Sequence, residues 1–212
     1  MTTRAKAFLA LIVIGVTAVL VAAWFGFVSG YLTANQETQR AQDLLSAPET
    51  ATPDSNQLQP LVSGVPSVGE YFAVIRIPAL GEDWLHTVSE GTTPEILDDL
   101  GVGHYEGTEL PGEPGNFALA GHSGSSWTPF AKLDKVAIGE LVEIETLSKK
   151  YVYEIVDTET VEETDVKTVY DNPEFGNQTT ENQWLTITTC LTDGPQNLRY
   201  VVYAKFVSES ER

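Results

Sequence analysis

The hydrophobic pattern divides the chain into three stretches. From Phe8 to Val28 the sequence FLALIVIGVTAVLVAAWFGFV runs for 21 residues without a charge. About 20 apolar residues cross the hydrocarbon core of a bilayer as a helix, and this one has no polar face, so the pattern predicts a membrane span rather than a core helix. Arg4 and Lys6 precede it, and basic residues at a short end favour keeping that end in the cytoplasm. A cleaved signal peptide is the competing reading, because Val28-Ser29-Gly30 offers small residues, but its apolar region would be only about 7 to 15 residues long. Residues 31 to 45, YLTANQETQRAQDLL, extend the helix outward as a stalk. The following SAPETATPDSNQLQPLVSGVPSVGE carries four prolines among Ser, Thr, Gln and Gly, and reads as a linker.

Beyond the linker, short runs of β-branched and aromatic residues alternate with turn clusters. YFAVIRI (71 to 77), NFALAG (116 to 121), ELVEIET (140 to 146), KYVYEIVD (150 to 157), WLTITTC (184 to 190) and LRYVVYAKFV (198 to 207) are the predicted strands. PEILDDL (94 to 100) and TPFAKLDK (128 to 135), each with proline near its start, predict brief helical turns. Short strands at these intervals suggest a barrel or a sandwich.

Composition removes several classes of function. With 42% hydrophobic and 20% charged residues the chain is too apolar for disorder, and one cysteine rules out a disulfide scaffold. Twelve basic against 30 acidic residues give a net charge of -18, which repels a phosphate backbone, so no nucleic-acid partner is expected. Simple solubility is the plainer explanation of the acidity, and no EF-hand spacing is present.

The single cysteine, Cys190, lies in the part expected to face an oxidising compartment, where it has no internal partner. It is either buried filler or a nucleophile. A thiol that attacks a carbonyl needs a base or cation to populate the thiolate, and donors for the developing oxyanion. Such groups are scarce: the domain holds His86, His104 and His122, with Arg76 and Arg199. In a WLTITTC strand, Trp184, Thr186, Thr188 and Cys190 project from one face and Leu185, Ile187 and Thr189 from the other. Antiparallel pairing with the next strand sets Arg199 opposite Cys190, whereas a one-residue slip separates them. Arg76, inside a β-run, is a partnered or snorkelling surface residue. His122 sits in LAGHSG, where a strand-like apolar run breaks into small residues, a place where catalytic groups are often displayed. Taken singly, each histidine is more often structural.

The ordered set LAGHSG (119 to 124), TITTC (186 to 190) and Arg199 resembles the sortase family, membrane-anchored cysteine transpeptidases of Gram-positive bacteria. The resemblance covers roughly residues 66 to 207. IPALGEDW, GVGHYEGTELPGEPGNFALAGH, TPFAKLDKVAIGE and RYVVYAKF are most similar to class E sortases of actinobacteria.

The resemblance implies a mostly β fold, an eight-stranded sortase-type β-barrel with short helices, behind one N-terminal transmembrane helix. It implies a cytoplasmic tip and signal anchor at 1–30, an extracytoplasmic stalk and linker at 31–69, and a catalytic domain at 70–208, held at the cell membrane. Cys190 would attack the carbonyl after Thr in an LPXTG-type sorting signal, His122 would act as general acid and then base, and Arg199 would hold substrate and oxyanion. Surface proteins bearing such signals would be the donors, and a peptidoglycan precursor or pilin amine the acceptor. No metal or organic cofactor is required. Tyr105 matches a class E tyrosine linked to alanine rather than proline in the signal, with an ordinary packing aromatic as the alternative. Thr189 is a candidate oxyanion contributor or simply a strand residue, and Thr188 and Ser123 complete the substrate-facing set. The chain departs from the class at Ser123-Gly124-Ser125-Ser126 and Leu191-Thr192, which leaves the exact signal open. Competing functions are a peptidase that uses water as acceptor and an anchored β-domain for adhesion or scaffolding.

Overall fold

A strip of three neighbouring strands dominates the architecture, because it gathers chain segments far apart in sequence at one barrel end. The structure, a computed structural model, describes residues 3–46, 61–124, 128–173, 180–191, 194–195 and 197–212. The chain divides into two compact units, Met1–Gln36 and Glu37–Arg212. The described residues of the first all belong to α1 (Thr3–Ser46). From Leu11 to Leu32 nearly all its large apolar side chains are exposed, and the helix is long and apolar enough to cross a membrane. Residues 47–60 of the expected linker lie outside the described residues.

The second unit is a closed barrel of β1 (Tyr71–Arg76), β2 (Leu85–Glu90), β3 (Val102–His104), β4 (Gly115–Gly121), β5 (Leu141–Thr146), β6 (Lys149–Glu162), β7 (Gln183–Cys190) and β8 (Leu198–Glu211). Around the barrel the order is β1-β2-β3-β4-β7-β8-β6-β5, closed by the antiparallel β5–β1 pair. The mostly β class and the eight-stranded barrel are therefore as expected. The six strands read from β-branched runs are all present, with β6 and β8 running longer because they pair with each other along their whole length. β2 and β3 are additions. PEILDDL forms α2 (Pro94–Leu100), whereas TPFAKLDK yields only a tight helical turn at Leu133–Lys135.

Two parallel pairs, β2 with β3 and β4 with β7, need crossovers. The first runs through α2, the second through the β5–β6 hairpin. Alternation along β7 buries Leu185 and Ile187 in the barrel core beside Phe117, Leu119, Ile144 and Ile155. Its other face carries Trp184, which packs with Val161, Val201 and Tyr203, and Thr186, whose hydroxyl donates to Asn116 Oδ1 at 2.8 Å.

The last turns of α1 lie within this unit and cover β1 and β2. Ala41 packs on Val74 and Leu85, and Leu44 on Leu61 and Tyr71. Buried Glu37 accepts from the Thr87 hydroxyl at 3.3 Å and pairs with Arg40; burial pushes its carboxyl up, against the opposing pull of the guanidinium. His86 on β2 is also buried, edge-on to Trp84 with ring centroids 4.7 Å apart, and burial lowers it to about 4. Its Nδ1 meets no hydrogen-bond partner among the described residues.

Candidate active site

The end of β7 is fixed from both sides. In the β7–β8 ladder Cys190 is directly opposite Arg199, so both side chains leave the same face of the sheet. The thiol is half-buried and the guanidinium side chain 29% exposed. Arg199 donates to Glu163 Oε2 at 2.9 Å and to the Leu198 carbonyl at 3.1 Å. Arg76, by contrast, reaches the Glu82 carbonyl and Glu143 on the surface, as its β-run position led one to expect.

On the other side β4 runs parallel to β7 with Ala120 level with Thr188, the last pair of that ladder, and His122 follows directly after the end of β4. Two hydroxyls tie the chain beyond β4 to β7: Thr189 Oγ1 donates to the Gly121 carbonyl at 2.7 Å, and Ser123 Oγ donates to the Cys190 carbonyl at 2.5 Å. The backbone N–H of Phe130 donates to the His122 carbonyl at 2.9 Å. Gly121 is dictated by packing, because a Cβ there would lie 2.7 Å from the Phe130 ring. The His122 ring, 41% exposed, contacts Asp98 Oδ1 through Nε2 at 2.9 Å.

Thr188 shares the Cys190 face of β7, donates to the Leu119 carbonyl at 3.3 Å and lies 2.9 Å from the Tyr105 hydroxyl. With its own proton turned to Leu119, Thr188 accepts from Tyr105. Tyr105 thus reaches across β4 to a point two residues from the thiol. All seven residues singled out from the sequence therefore fall at or beside this end of the β4–β7–β8 strip. Ser125, Ser126 and Thr192, half of the departures from the class pattern, lie outside the described residues.

The other two histidines stand apart from the thiol. His104 is buried against Phe72 and Phe117, with Nδ1 2.7 Å from Glu90 Oε2 and Nε2 near Thr108 Oγ1 and the Glu109 carbonyl. This network fixes the turn that presents Tyr105. Asp98 and Glu163, the carboxylates on His122 and Arg199, were not apparent from the sequence. Both arrive from segments distant in the chain, and nothing local marks them. Among the described residues no group of three or more His, Cys, Asp or Glu side chains is arranged to hold a metal.

A cysteine, a histidine and an arginine gathered at one end of a closed β-barrel form a candidate centre for acyl transfer through sulfur. The chain belongs to the sortase family, whose domain model matches residues 75–207. It is similar to sortase SrtE1 of Streptomyces coelicolor, with 32% identity over 151 residues, 68% of this chain and 42% of that protein. The chain thus spans less than half the length of that relative. Among solved structures it is similar to sortase E from Streptomyces avermitilis, with 34% identity and a TM-score of 0.61 over 68% of this chain and 93% of the other. It is also similar to sortase E1 from Streptomyces coelicolor, which was solved with a tripeptide in the active site: 28% identity and TM-score 0.61 over 70% and 94% of the two chains. The likeness to class E sortases expected from the sequence is therefore found.

Proposed function

We propose that this chain is a membrane-anchored sortase, a cysteine transpeptidase that cleaves an LPXTG- or LAXTG-type sorting signal after its Thr and passes the acyl group to an amine. The observation that carries the reading is the ladder pairing of Cys190 with Arg199, with His122 directly after the parallel neighbour β4 in a loop that Ser123 ties to the Cys190 carbonyl. The tripeptide in the active site of the Streptomyces coelicolor relative supports a peptide chain as the occupant.

In this reading the Cys190 thiolate attacks the carbonyl carbon after Thr. The carbonyl π electrons move to oxygen, and the Arg199 guanidinium donates to the oxyanion. His122 gives a proton to the departing amine as the C–N bond breaks, leaving a thioester and a released tail. An incoming amine then attacks, His122 takes its proton, and the C–S bond breaks to restore the thiolate. Arg199 must exchange Glu163 for substrate, an exposed pair that costs little to open. Tyr105 and Thr188 bind the signal beside the scissile bond, and Ser123 and Thr189 hold the His122 loop. The hydroxyl of Thr189 is committed to Gly121, so it acts by that tie.

Residues 1–30 serve as cytoplasmic tip and anchor, 31–69 as stalk and linker, and 70–208 as the catalytic domain outside the cell membrane. Donors are surface proteins with C-terminal sorting signals, and the acceptor is an amine of a peptidoglycan precursor or a pilin. The test incubates the full-length chain in detergent with LPXTG and LAXTG peptides, with and without an amine. An amide product that needs the amine and disappears in Cys190→Ala and His122→Ala is expected. Retained transpeptidation in either variant refutes the assignment, and free acid alone in the presence of amine makes the protein a peptidase.

A further inference from the structure

The contact between His122 and Asp98 has no explanation in the packing of the fold. Asp98 lies in the last turn of α2, where the helix dipole is negative and an acidic side chain is unfavourable. Its side chain is 68% exposed, so it fills no core position. What fixes it in space is the route of the chain. Directly after α2, Gly101 leads into β3, where Val102 pairs with Gly121 at the end of β4. A Cβ on Gly121 would lie 3.3 Å from the Gly101 carbonyl, which shows how closely the end of α2 approaches the residue before His122. The shortness of β3, three residues, thus delivers a carboxylate to the imidazole.

We propose that Asp98 is a positioning residue for His122: its carboxylate accepts the Nε2–H, which orients the ring and reserves Nδ1 for proton exchange with the reacting amine. The inference rests on the transpeptidase reading for its role in turnover, but the tautomer it specifies does not. Oδ1 lies 2.9 Å from Nε2, an ordinary charge-assisted distance. A carboxylate oxygen only accepts, so in the neutral ring Nε2 carries the hydrogen and Nδ1 carries the lone pair. Nδ1 has no hydrogen-bond partner among the described residues, whereas in His104 both nitrogens are engaged. His122 therefore has one nitrogen held and one available. Rigidity on the opposite side comes from Ser123 and Phe130, which hold the backbone but leave the ring free to turn about its χ angles. Asp98 supplies the remaining constraint, much as a carboxylate orients the histidine of a serine-protease triad. Because this pair is exposed, its effect is smaller than in those buried triads.

The experiment uses the full-length chain in detergent micelles with imidazole-15N histidine. The sequence holds only three histidines, so His122→Gln identifies the His122 signals directly. At a pH where the ring is neutral, wild type is expected to show the Nε2–H tautomer of His122 alone. Asp98→Ala is expected to give the mixed tautomers of a ring in water, and Asp98→Asn, which keeps an accepting oxygen, to retain most of the Nε2–H form. In transpeptidation Asp98→Ala is expected to lower kcat about ten-fold, with the donor-peptide KM within about two-fold and Asp98→Asn intermediate. An unchanged tautomer in Asp98→Ala, or an unchanged kcat, overturns the proposal. A wild-type chain that does not turn over refutes the transpeptidase reading, and the tautomer measurement then still decides whether Asp98 orients His122.

Discussion

Acidification is expected to destabilise the barrel through His86, and the size of the effect follows from its burial. In the unfolded chain a histidine titrates near 6.5, whereas buried His86 is lowered to about 4 because no charge or acceptor compensates for lost water. Between these values the unfolded chain binds a proton that the folded one refuses, so stability falls as pH falls. Integrating over that window gives a loss of about 2 kcal/mol by pH 5 and about 3 kcal/mol by pH 4, relative to pH 8. Glu37 acts in the opposite sense. Its carboxyl is raised, so its contribution is complete below about 4.5, the ordinary value, and is lost as pH rises through its folded value. The two groups are neighbours: a methyl placed on Gly101 would lie 3.8 Å from Glu37 Oε2 and 3.9 Å from His86 Nδ1. They are separated by measuring wild type, His86→Phe and His86→Phe with Glu37→Gln. Urea unfolding of the 37–212 unit at pH 8, 6 and 5 gives the stabilities, and the difference in pH slope between wild type and His86→Phe isolates His86. Wild type is expected to lose about 2 kcal/mol more than His86→Phe between pH 8 and 5, or roughly 4 to 8 °C in Tm. Parallel profiles for the two proteins refute the reasoning, because they would mean that His86 titrates as it does in water.

Three further outcomes follow from the geometry. Gly121→Ala drives a Cβ into the Phe130 ring and displaces His122, so transpeptidation is expected to fall at least about ten-fold while Cys190 still reacts with a small thiol reagent. Arg199→Lys keeps the charge but not the planar fork, and is expected to lose roughly 100-fold in kcat/KM for the donor peptide, with little change in urea stability because the Glu163 pair is exposed. Ser123→Ala removes a buried hydroxyl from the Cys190 carbonyl, which is expected to cost about 1 kcal/mol of stability by urea unfolding and to lower kcat more than KM.

The strands that sequence patterning found are those whose inward faces are filled largely by β-branched and aromatic residues, such as Ile187 on β7 and Phe117 on β4. β2 escaped because LHTVSE does not alternate: His86, Thr87, Ser89 and Glu90 are all buried, and α1 supplies part of the cover on the outer face. No local pattern announces that a distant helix will shield polar side chains. β3 is three residues long and contains Gly103, whose Cβ would lie 2.2 Å from the Gly91 carbonyl oxygen, so close backbone approach rather than strand propensity explains its composition. At the site, the facing of Cys190 and Arg199 was legible as one of two registers, and the barrel has the one that joins them. Asp98 was not legible, since its meeting with His122 depends on the crossover through α2 and on how β3 pairs with β4.

The central claim is that Cys190 is a nucleophile that stores an acyl group, and the most direct measurement is the intact mass of the full-length chain during reaction with an LAXTG or LPXTG peptide. The expected result is a mass increase equal to the peptide up to and including Thr, mapped to Cys190, that disappears on adding an amine as the amide product forms. A thiol that stays unmodified by peptide and resists alkylation in the folded protein contradicts the claim and leaves the barrel as an anchored scaffold.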